Sequence, residues 1–251
     1  MISVIANTPT HLWLGLGEKF FSKDYEKMID IKLGDRRFVS IGNTLIVKDW
    51  PKEWTGQALF GLVGYSPKGY KMSVLRETYI PDQPWYDFLN ALDPAENPEV
   101  NKKGFSIWGM NCNMKREGKG GCLSSIHLLR NRGRNILFVH GKIAEIPRKF
   151  VADLLLVRDI LQELSLWPME VRFMYSTVYY SIVGLRTFIP VLGEKHVQLH
   201  GLPITTPRNY QAGIIEAINK YSSQFSKKER RNGLWTLMNL TTGEWIDKRI
   251  T

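Results

Sequence analysis

The stretch EGKGGCLSSIHLLRNRGRNILFVH, Glu117 to His140, decides how the chain is read. A glycine-rich loop runs into two apolar strands, Cys122 to Leu129 and Asn135 to His140, on either side of a Gly-centred turn at Arg130 to Arg134. Apolar runs joined by such a turn predict a β-hairpin. Cys122 stands straight after the glycines, at the lip of the first strand. A side chain there can face a pocket, whereas a purely structural cysteine is better placed inside the strand. The glycines before it let backbone approach a ligand closely.

Working outward, KFVADLLLVRDILQEL lies within one long apolar helix over Pro147 to Leu166, with Pro147 at its start and Pro168 beyond its end. Val171 to Ile182 is strongly β-prone. Upstream, Ile2 to Ile5 predicts a strand, and His11 to Phe21 a helix begun near Thr8–Pro9–Thr10, where Thr caps and Pro suits a first turn. Phe38 to Val47 reads as two strand pieces around Gly42–Asn43. An aromatic, turn-rich region follows, from DWPKEW to GYSPKGY, then a helix at Pro81 to Leu92 and a strand at Phe105 to Asn111. Downstream lie a helix at Gln211 to Phe225 and a closing strand or strand pair at Leu234 to Ile246. Strands and helices mixed throughout, with no linker-like composition, predict one α/β or α+β domain over residues 1–251.

The chain has 251 residues and is 43% hydrophobic, with 8 Trp, 10 Tyr and 11 Phe, which supports a substantial core and excludes global disorder. No apolar run reaches about 18 residues, so no transmembrane helix is expected. The opening MISVIANTPTHLWLGL has neither a basic n-region nor a small-residue cleavage site, so no signal peptide is expected. Two cysteines, Cys112 and Cys122, fit a reducing cytoplasm rather than a disulfide framework. The net charge of +10 favours polyanionic partners: nucleic acid, nucleotides or an anionic membrane surface. Part of it is concentrated in RNRGR (130–134) and KKERR (227–231), which read equally well as a solvated hairpin turn and helix end. There is no Walker-type or G-x-G-x-x-G loop and no internal repeat.

Several residues fall on one track. Asn97–Pro98 opens NPEVNKKGFSIW, Cys122 stands twenty residues after Lys102, and Lys142 stands twenty after Cys122. Asp153 stands eleven after Lys142, and Tyr180 follows in STVYYS. This spacing resembles the thymidylate synthase superfamily, which includes the pyrimidine-nucleotide hydroxymethylases. In that resemblance NPEVNKK stands for the family's N-P-x-S-R-R segment, with lysines for arginines. Cys122 matches the nucleophile, and His127 sits where a glutamine follows five residues later. Lys142 to Glu145 (KIAE) stands for R-S-x-D, and Asp153 for an Asn/Asp near the start of the long helix. Val178-Tyr179-Tyr180 stands for H-x-Y, keeping only the tyrosine. VIANT at the N-terminus is similar to the start of the cytidylate-hydroxymethylase branch. The closing WIDKRIT departs from the family's small apolar end.

The resemblance implies a large mixed sheet flanked by helices, paired sheet to sheet in a homodimer. It implies a Cys122 thiolate that adds to carbon 6 of a pyrimidine, so that carbon 5 attacks a one-carbon unit from 5,10-methylenetetrahydrofolate. Glu145 and Tyr180 join Cys122 as catalytic residues. Arg36, Lys102, Lys103 and Lys142 hold phosphate, the lysine pair from the partner subunit, while His127 meets the base. Trp50 and Trp54 resemble tryptophans that wall a folate site. Nearby cations, Lys119, Lys102, Lys103 and Lys142, are expected to lower the thiol pKa.

Asp153 is the base reader. A carboxyl accepts from the exocyclic amine of cytosine and, once protonated, donates to ring N3; in this family an aspartate here goes with cytidylate hydroxymethylation. A nucleotide of the CMP or dCMP type follows, with hydroxymethylation favoured over methylation.

The residues alone also admit plainer roles. Cys122 could be a small core residue, Asp153 a charge at a helix N-terminus, His127 structural, the arginine pair Arg36–Arg37 a charged turn, and both tryptophans core packing. A second class of function therefore stands beside the enzyme: an inactive protein on the same scaffold that binds nucleic acid or another partner through its basic patches. A related catalyst acting on a pyrimidine within a polynucleotide is a third.

Overall fold

Strand β1 (Ile2–Ala6) and the chain after it form a β–α–β beginning, because Thr8 stops the strand and starts a helix. Its hydroxyl accepts from the His11 N–H (3.1 Å), and Pro9 takes the first helical position, where no N–H is needed. The computed structural model describes residues 2–22, 25–34, 36–39, 43–63, 80–92, 105–112, 115–116, 119–120, 122–131, 134–146, 148–165, 167, 169–181, 184, 188, 223, 226, 228 and 237–246. In chain order the elements are β1, α1 (Pro9–Phe20), a 3-10 turn (Tyr25–Met28), β2 (Ile31–Leu33), β3 (Arg36–Val39), β4 (Asn43–Val47), α2 (Gln57–Leu62) and α3 (Asp82–Leu92). There follow β5 (Phe105–Asn111), β6 (Lys115–Arg116), β7 (Lys119–Gly120), β8 (Leu123–Asn131), β9 (Arg134–Glu145), α4 (Lys149–Leu164) and β10 (Met169–Ser181).

The architecture is mixed α/β. Eight strands form one mixed sheet in the order β1-β4-β10-β9-β8-β5, with β3 pairing β10 beyond β4, and β2 pairing β3. The pairs β1/β4 and β9/β10 are parallel, each joined through helix-bearing chain, and the others are antiparallel. The hairpin expected at Cys122 to His140 is β8/β9, with β9 running on to Glu145. The two pieces expected in Phe38 to Val47 are β3 and β4, which lie end to end along β10, at Val178–Ser181 and Val171–Phe173.

Strand alternation gives the sheet two faces. Val171, Phe173, Tyr175 and Tyr179 of β10, with Gly141 and Glu145 of β9, share one face, and helix α4 covers it. Phe150 packs edge-on against Phe173 and Tyr175 (5.1 and 6.1 Å between ring centroids). Helix α4 is apolar on nearly all sides and correspondingly buried from Phe150 to Val157. It ends at Ser165, in a left-handed conformation (φ 51°), whose N–H closes on the Leu161 carbonyl. The opposite face carries Arg172, Met174 and Ser176 of β10, Phe138, His140 and Lys142 of β9, and His127 of β8.

Two expectations need revision, and a third falls almost wholly outside the described residues. The turn-rich region after Trp54 contains helix α2. The closing strand pair at Leu234 to Ile246 reduces, among the described residues, to one antiparallel bridge, Met238 to Trp245, around a turn in which Asn239 Oδ1 accepts from the Thr241 and Thr242 N–H groups. That turn docks on the α2 entrance through Thr55 N–H to the Thr242 carbonyl and Ala58 N–H to the Gly243 carbonyl (2.7 and 2.8 Å). The helix expected at Gln211 to Phe225 lies outside the described residues except for Ser223. Among the described residues no helix is long and apolar enough to cross a membrane.

Candidate active site

Cys122 owes its position to a bulge. Ser124 is the extra residue between the pairs Leu123–Gly141 and Ser125–His140. Its carbonyl accepts from the Cys112 N–H and its hydroxyl donates to the His140 carbonyl, so the irregularity is held from both sides. Just before it, the Cys122 carbonyl accepts from the Lys142 N–H (2.7 Å). Gly141 lies beside this bond. A Cβ there would enter the ring of Tyr175 and come within 3.2 Å of the Cys122 carbonyl. Glycine therefore lets Tyr175 lie across β9, and its hydroxyl donates to Asp153 Oδ2 at 2.7 Å in a buried hydrogen bond.

Asp153 belongs to the second turn of α4, past the first-turn positions that a helix dipole favours. It faces inward and is 4% exposed. Burial raises its carboxyl to about 7, against the opposing pull of the Tyr175 hydroxyl and the Lys149 ammonium. Glu145, buried at the end of β9, pairs with Arg148 (3.5 Å) and lies directly across the strands from Tyr179. Tyr179 stacks on Phe38 (4.9 Å) beneath the Arg36 guanidinium (5.9 Å from the ring centroid). Its hydroxyl is pushed to about 12 by burial, then by Glu145 and Cys122, with Arg36 and Arg148 opposing. The half-buried Cys122 thiol is raised by burial, then by Asp153 and Glu145, while Lys149 lowers it.

Of the residues singled out in the sequence, Cys122, Glu145, Asp153 and Arg36 come together here. Strand alternation places Lys142 on the opposite face of the sheet from Glu145, with its side chain exposed. His127 is on that opposite face too, 5.2 Å from His140 and with its ring against Gly109. Tyr180 is buried against Phe20 of α1 (5.3 Å), and it is Tyr179 whose hydroxyl senses Glu145 and Cys122. Trp50 and Trp54 are core residues, 1% and 0% exposed, packed edge to face, with Trp54 Nε1 donating to the Thr10 hydroxyl. Lys102 and Lys103 lie outside the described residues, as does the Lys119 side chain. Among the described residues the Cys122 thiol is raised, because burial and two carboxyls outweigh Lys149; three of the four lysines expected to lower it, Lys102, Lys103 and Lys119, have side chains outside the described residues.

Sequence reasoning missed Tyr175, Tyr179, Arg148 and Lys149. Period-two alternation was the available signal for the tyrosines: positions 175 and 179 share a side of β10 and position 180 does not. A groove of about 800 Å³ between β1 and α1, lined by Ser3, Ile5, His11, Glu18 and Lys19 among others, shares no residue with the cluster.

The two thiols are expected to differ sharply in reactivity. Burial drives Cys112 to about 12, and it is fully enclosed. Iodoacetamide at pH 8 should alkylate Cys122 at least ~100-fold faster than Cys112 in the folded protein. Peptide mapping over time checks this, and equal rates would refute the burial of Cys112.

In chemical terms the cluster offers a reachable sulfur nucleophile, a carboxyl that exchanges a proton near neutral pH, a second buried carboxylate, a neutral phenol and a guanidinium. No protein-family model matches this chain, and no curated protein matches it.

Proposed function

We propose that the protein is a C5 hydroxymethyl- or methyltransferase of pyrimidine nucleotides, of the cytidine type (CMP or dCMP), with Cys122 as nucleophile. The observation that supports this reading is the convergence of Cys122, Glu145, Asp153 and Arg36, from four separate segments, on one sheet face. Pyrimidine carbon 5 becomes nucleophilic once sulfur adds at carbon 6, and the ring then needs proton exchange at its polar edge. Asp153, whose carboxyl titrates near 7, offers a donor and an acceptor side by side when protonated. Arg36 is the cation of the cluster suited to a phosphate. The one-carbon donor in this reading is 5,10-methylenetetrahydrofolate. The two tryptophans assigned to it present no surface to a ligand, so they do not fit that role and no step is derived through the donor.

A thymidylate synthase-like fold with a sheet-to-sheet homodimer belongs to the same reading. What supports it is the second sheet face, where Met174 is 44% exposed and Phe138 half-buried. Met174→Glu is expected to weaken dimerisation at least ~10-fold, because an unpaired charge would be buried at the contact. Sedimentation velocity at micromolar concentration checks this, and a monomeric natural protein would overturn the dimer.

The test of the chemistry is intact-protein mass after incubation with 5-fluoro-dCMP, 5-fluoro-CMP or 5-fluoro-dUMP, each with and without methylenetetrahydrofolate. A stable adduct that is absent from Cys122→Ser supports the reading, and the nucleotide that traps names the base. No adduct with any nucleotide overturns it.

The upward shift of the Cys122 thiol favours a second reading, an inactive scaffold that binds nucleic acid through basic residues. Arg134 is already engaged by Glu170. That reading expects Cys122→Ser to change nothing, and neutralising Arg130, Arg132 and Arg134 to reduce the salt dependence of binding.

A further inference from the structure

We propose that Tyr175 is a positioning residue for Asp153: its hydroxyl holds Oδ2 as an acceptor, so that the exchangeable proton resides on the other carboxyl oxygen, Oδ1, and the two oxygens meet a ligand in one fixed order. The inference deepens the reading of the site given above and rests on it for the identity of the ligand. The geometry itself stands without that reading.

Three observations carry it. The Tyr175 hydroxyl donates to Asp153 Oδ2 at 2.7 Å, with both residues buried. The ring can reach only because Gly141 has no Cβ, since any side chain there would occupy the space of the ring. The ring is also clamped, parallel to Phe173 (6° between planes) and edge-on to Phe150. A phenol fixed on three sides gives the carboxyl one orientation instead of two.

The consequence is selectivity of edge. A carboxyl with both oxygens free can rotate and accept from almost any donor. One tethered at Oδ2 exchanges its proton at Oδ1 and offers a neighbouring acceptor in a fixed plane. That pattern matches an amidine edge, a ring nitrogen beside an exocyclic amine, better than an imide edge of N–H beside carbonyl. Tyr175 would thus make the aspartate discriminating, while touching no ligand itself.

The groups facing the pair are known from each packed element. Lys149 of α4 acts on Asp153 directly; Cys122 at the head of β8 senses Asp153, Lys149 and Glu145 of β9; and Tyr179 of β10 senses Glu145 and Cys122, with Arg36 of β3 and Arg148, just before α4, opposing. A hydroxyl donating to a carboxylate favours the ionised form. Its loss should therefore move Asp153 ionisation upward, and Cys122, which senses that charge, reports the change.

The experiment measures the iodoacetamide alkylation rate of Cys122 from pH 5.5 to 10 in the full-length protein, as Tyr175→Phe, as Asp153→Asn and unaltered. The unaltered chain should show an inflection near 7 from Asp153 below the main thiol ionisation. In Tyr175→Phe that inflection should move up by about one pH unit, and in Asp153→Asn it should disappear. Circular dichroism confirms folding, and Asp153→Asn keeps the test decisive if Tyr175→Phe is unstable, because an inflection that survives it does not come from Asp153. A Tyr175→Phe profile superimposed on the unaltered one overturns the proposal. The same variants are then incubated with 5-fluoro-CMP and 5-fluoro-UMP, where the preference for the cytidine analogue should fall at least ~10-fold. Trapping with undiminished preference overturns the selectivity. No trapping in any protein sinks the enzymatic reading, while the alkylation profile still decides the positioning.

Discussion

Asp153→Asn protein is expected to be more stable than the natural chain at pH 8, by about 4 kcal/mol, and to lose that advantage below about pH 4. The sign follows from the proton balance. The Asp153 carboxyl is raised from 3.8 to about 7 in the folded protein, so between those values the native state holds a proton that the unfolded chain has released. Stability contributed by this group is complete below the unfolded pKa and declines as pH rises to the folded one. At pH 8 the folded protein carries a buried carboxylate whose partners, the Tyr175 hydroxyl and Lys149, do not offset its desolvation. Asparagine removes the charge and can still accept from Tyr175. In a chain of this size the gain corresponds to a rise in Tm on the order of 10 °C. Denaturant midpoints at pH 8 and pH 4 check it, and a gap that does not change with pH would show that Asp153 buries no charge. Buried carboxyls that cost stability in this way recur at functional sites, though structural networks produce them too.

Gly243→Ala is expected to destabilise the protein by about 2–5 kcal/mol, from left-handed strain plus overpacking. Gly243 has φ +73°, and a Cβ there would stand 2.7 Å from Trp54 Nε1 and 2.9 Å from the Gly56 nitrogen. Neither neighbour can retreat. Trp54 is fully enclosed and hydrogen-bonded to Thr10, and Gly56, itself at φ +69°, begins α2 with Trp54 and Leu155 against it. The variant must therefore displace the turn at 239–244, breaking its bonds to Thr55 and Ala58. Hydrogen exchange should show those two amides exposed first, and an unchanged melting curve would refute the close contact.

Much of the architecture was legible because its signals are local. Thr8–Pro9 marks the start of α1, the RNRGR turn joins β8 to β9, and the apolar run from Phe150 to Leu161 specifies a buried helix. The sheet order was not legible, since nothing in the residues of β3 and β4 says that both lie along β10. Within the candidate site, Cys122, Glu145 and Asp153 were named through a spacing that resembles a known family, and Arg36 through the arginine which that resemblance implies in the early loop. Face assignment failed for Lys142 and His127, because a one-residue offset in a strand moves a side chain to the other side of the sheet. Tyr175 was hidden for another reason: its role exists only because Gly141, on a neighbouring strand, leaves room for it.

The order of the strands also sets a timetable for folding. The segment from β8 through β9 and α4 to β10 is contiguous in the chain, and its contacts form at small sequence separation. Pairing Leu45 with Phe173 instead closes a loop that spans about half of the chain, and β3 reaches Val178 and Ser181 only after a comparable closure. Long closures are entropically costly and come late. The sulfur, both carboxyls and both tyrosines thus belong to an early-forming segment, about a quarter of the chain, and Arg36 arrives with the last strands to dock. A refolding chain would pass through an interval in which its carboxyl-flanked thiol is assembled but lacks the guanidinium above Tyr179.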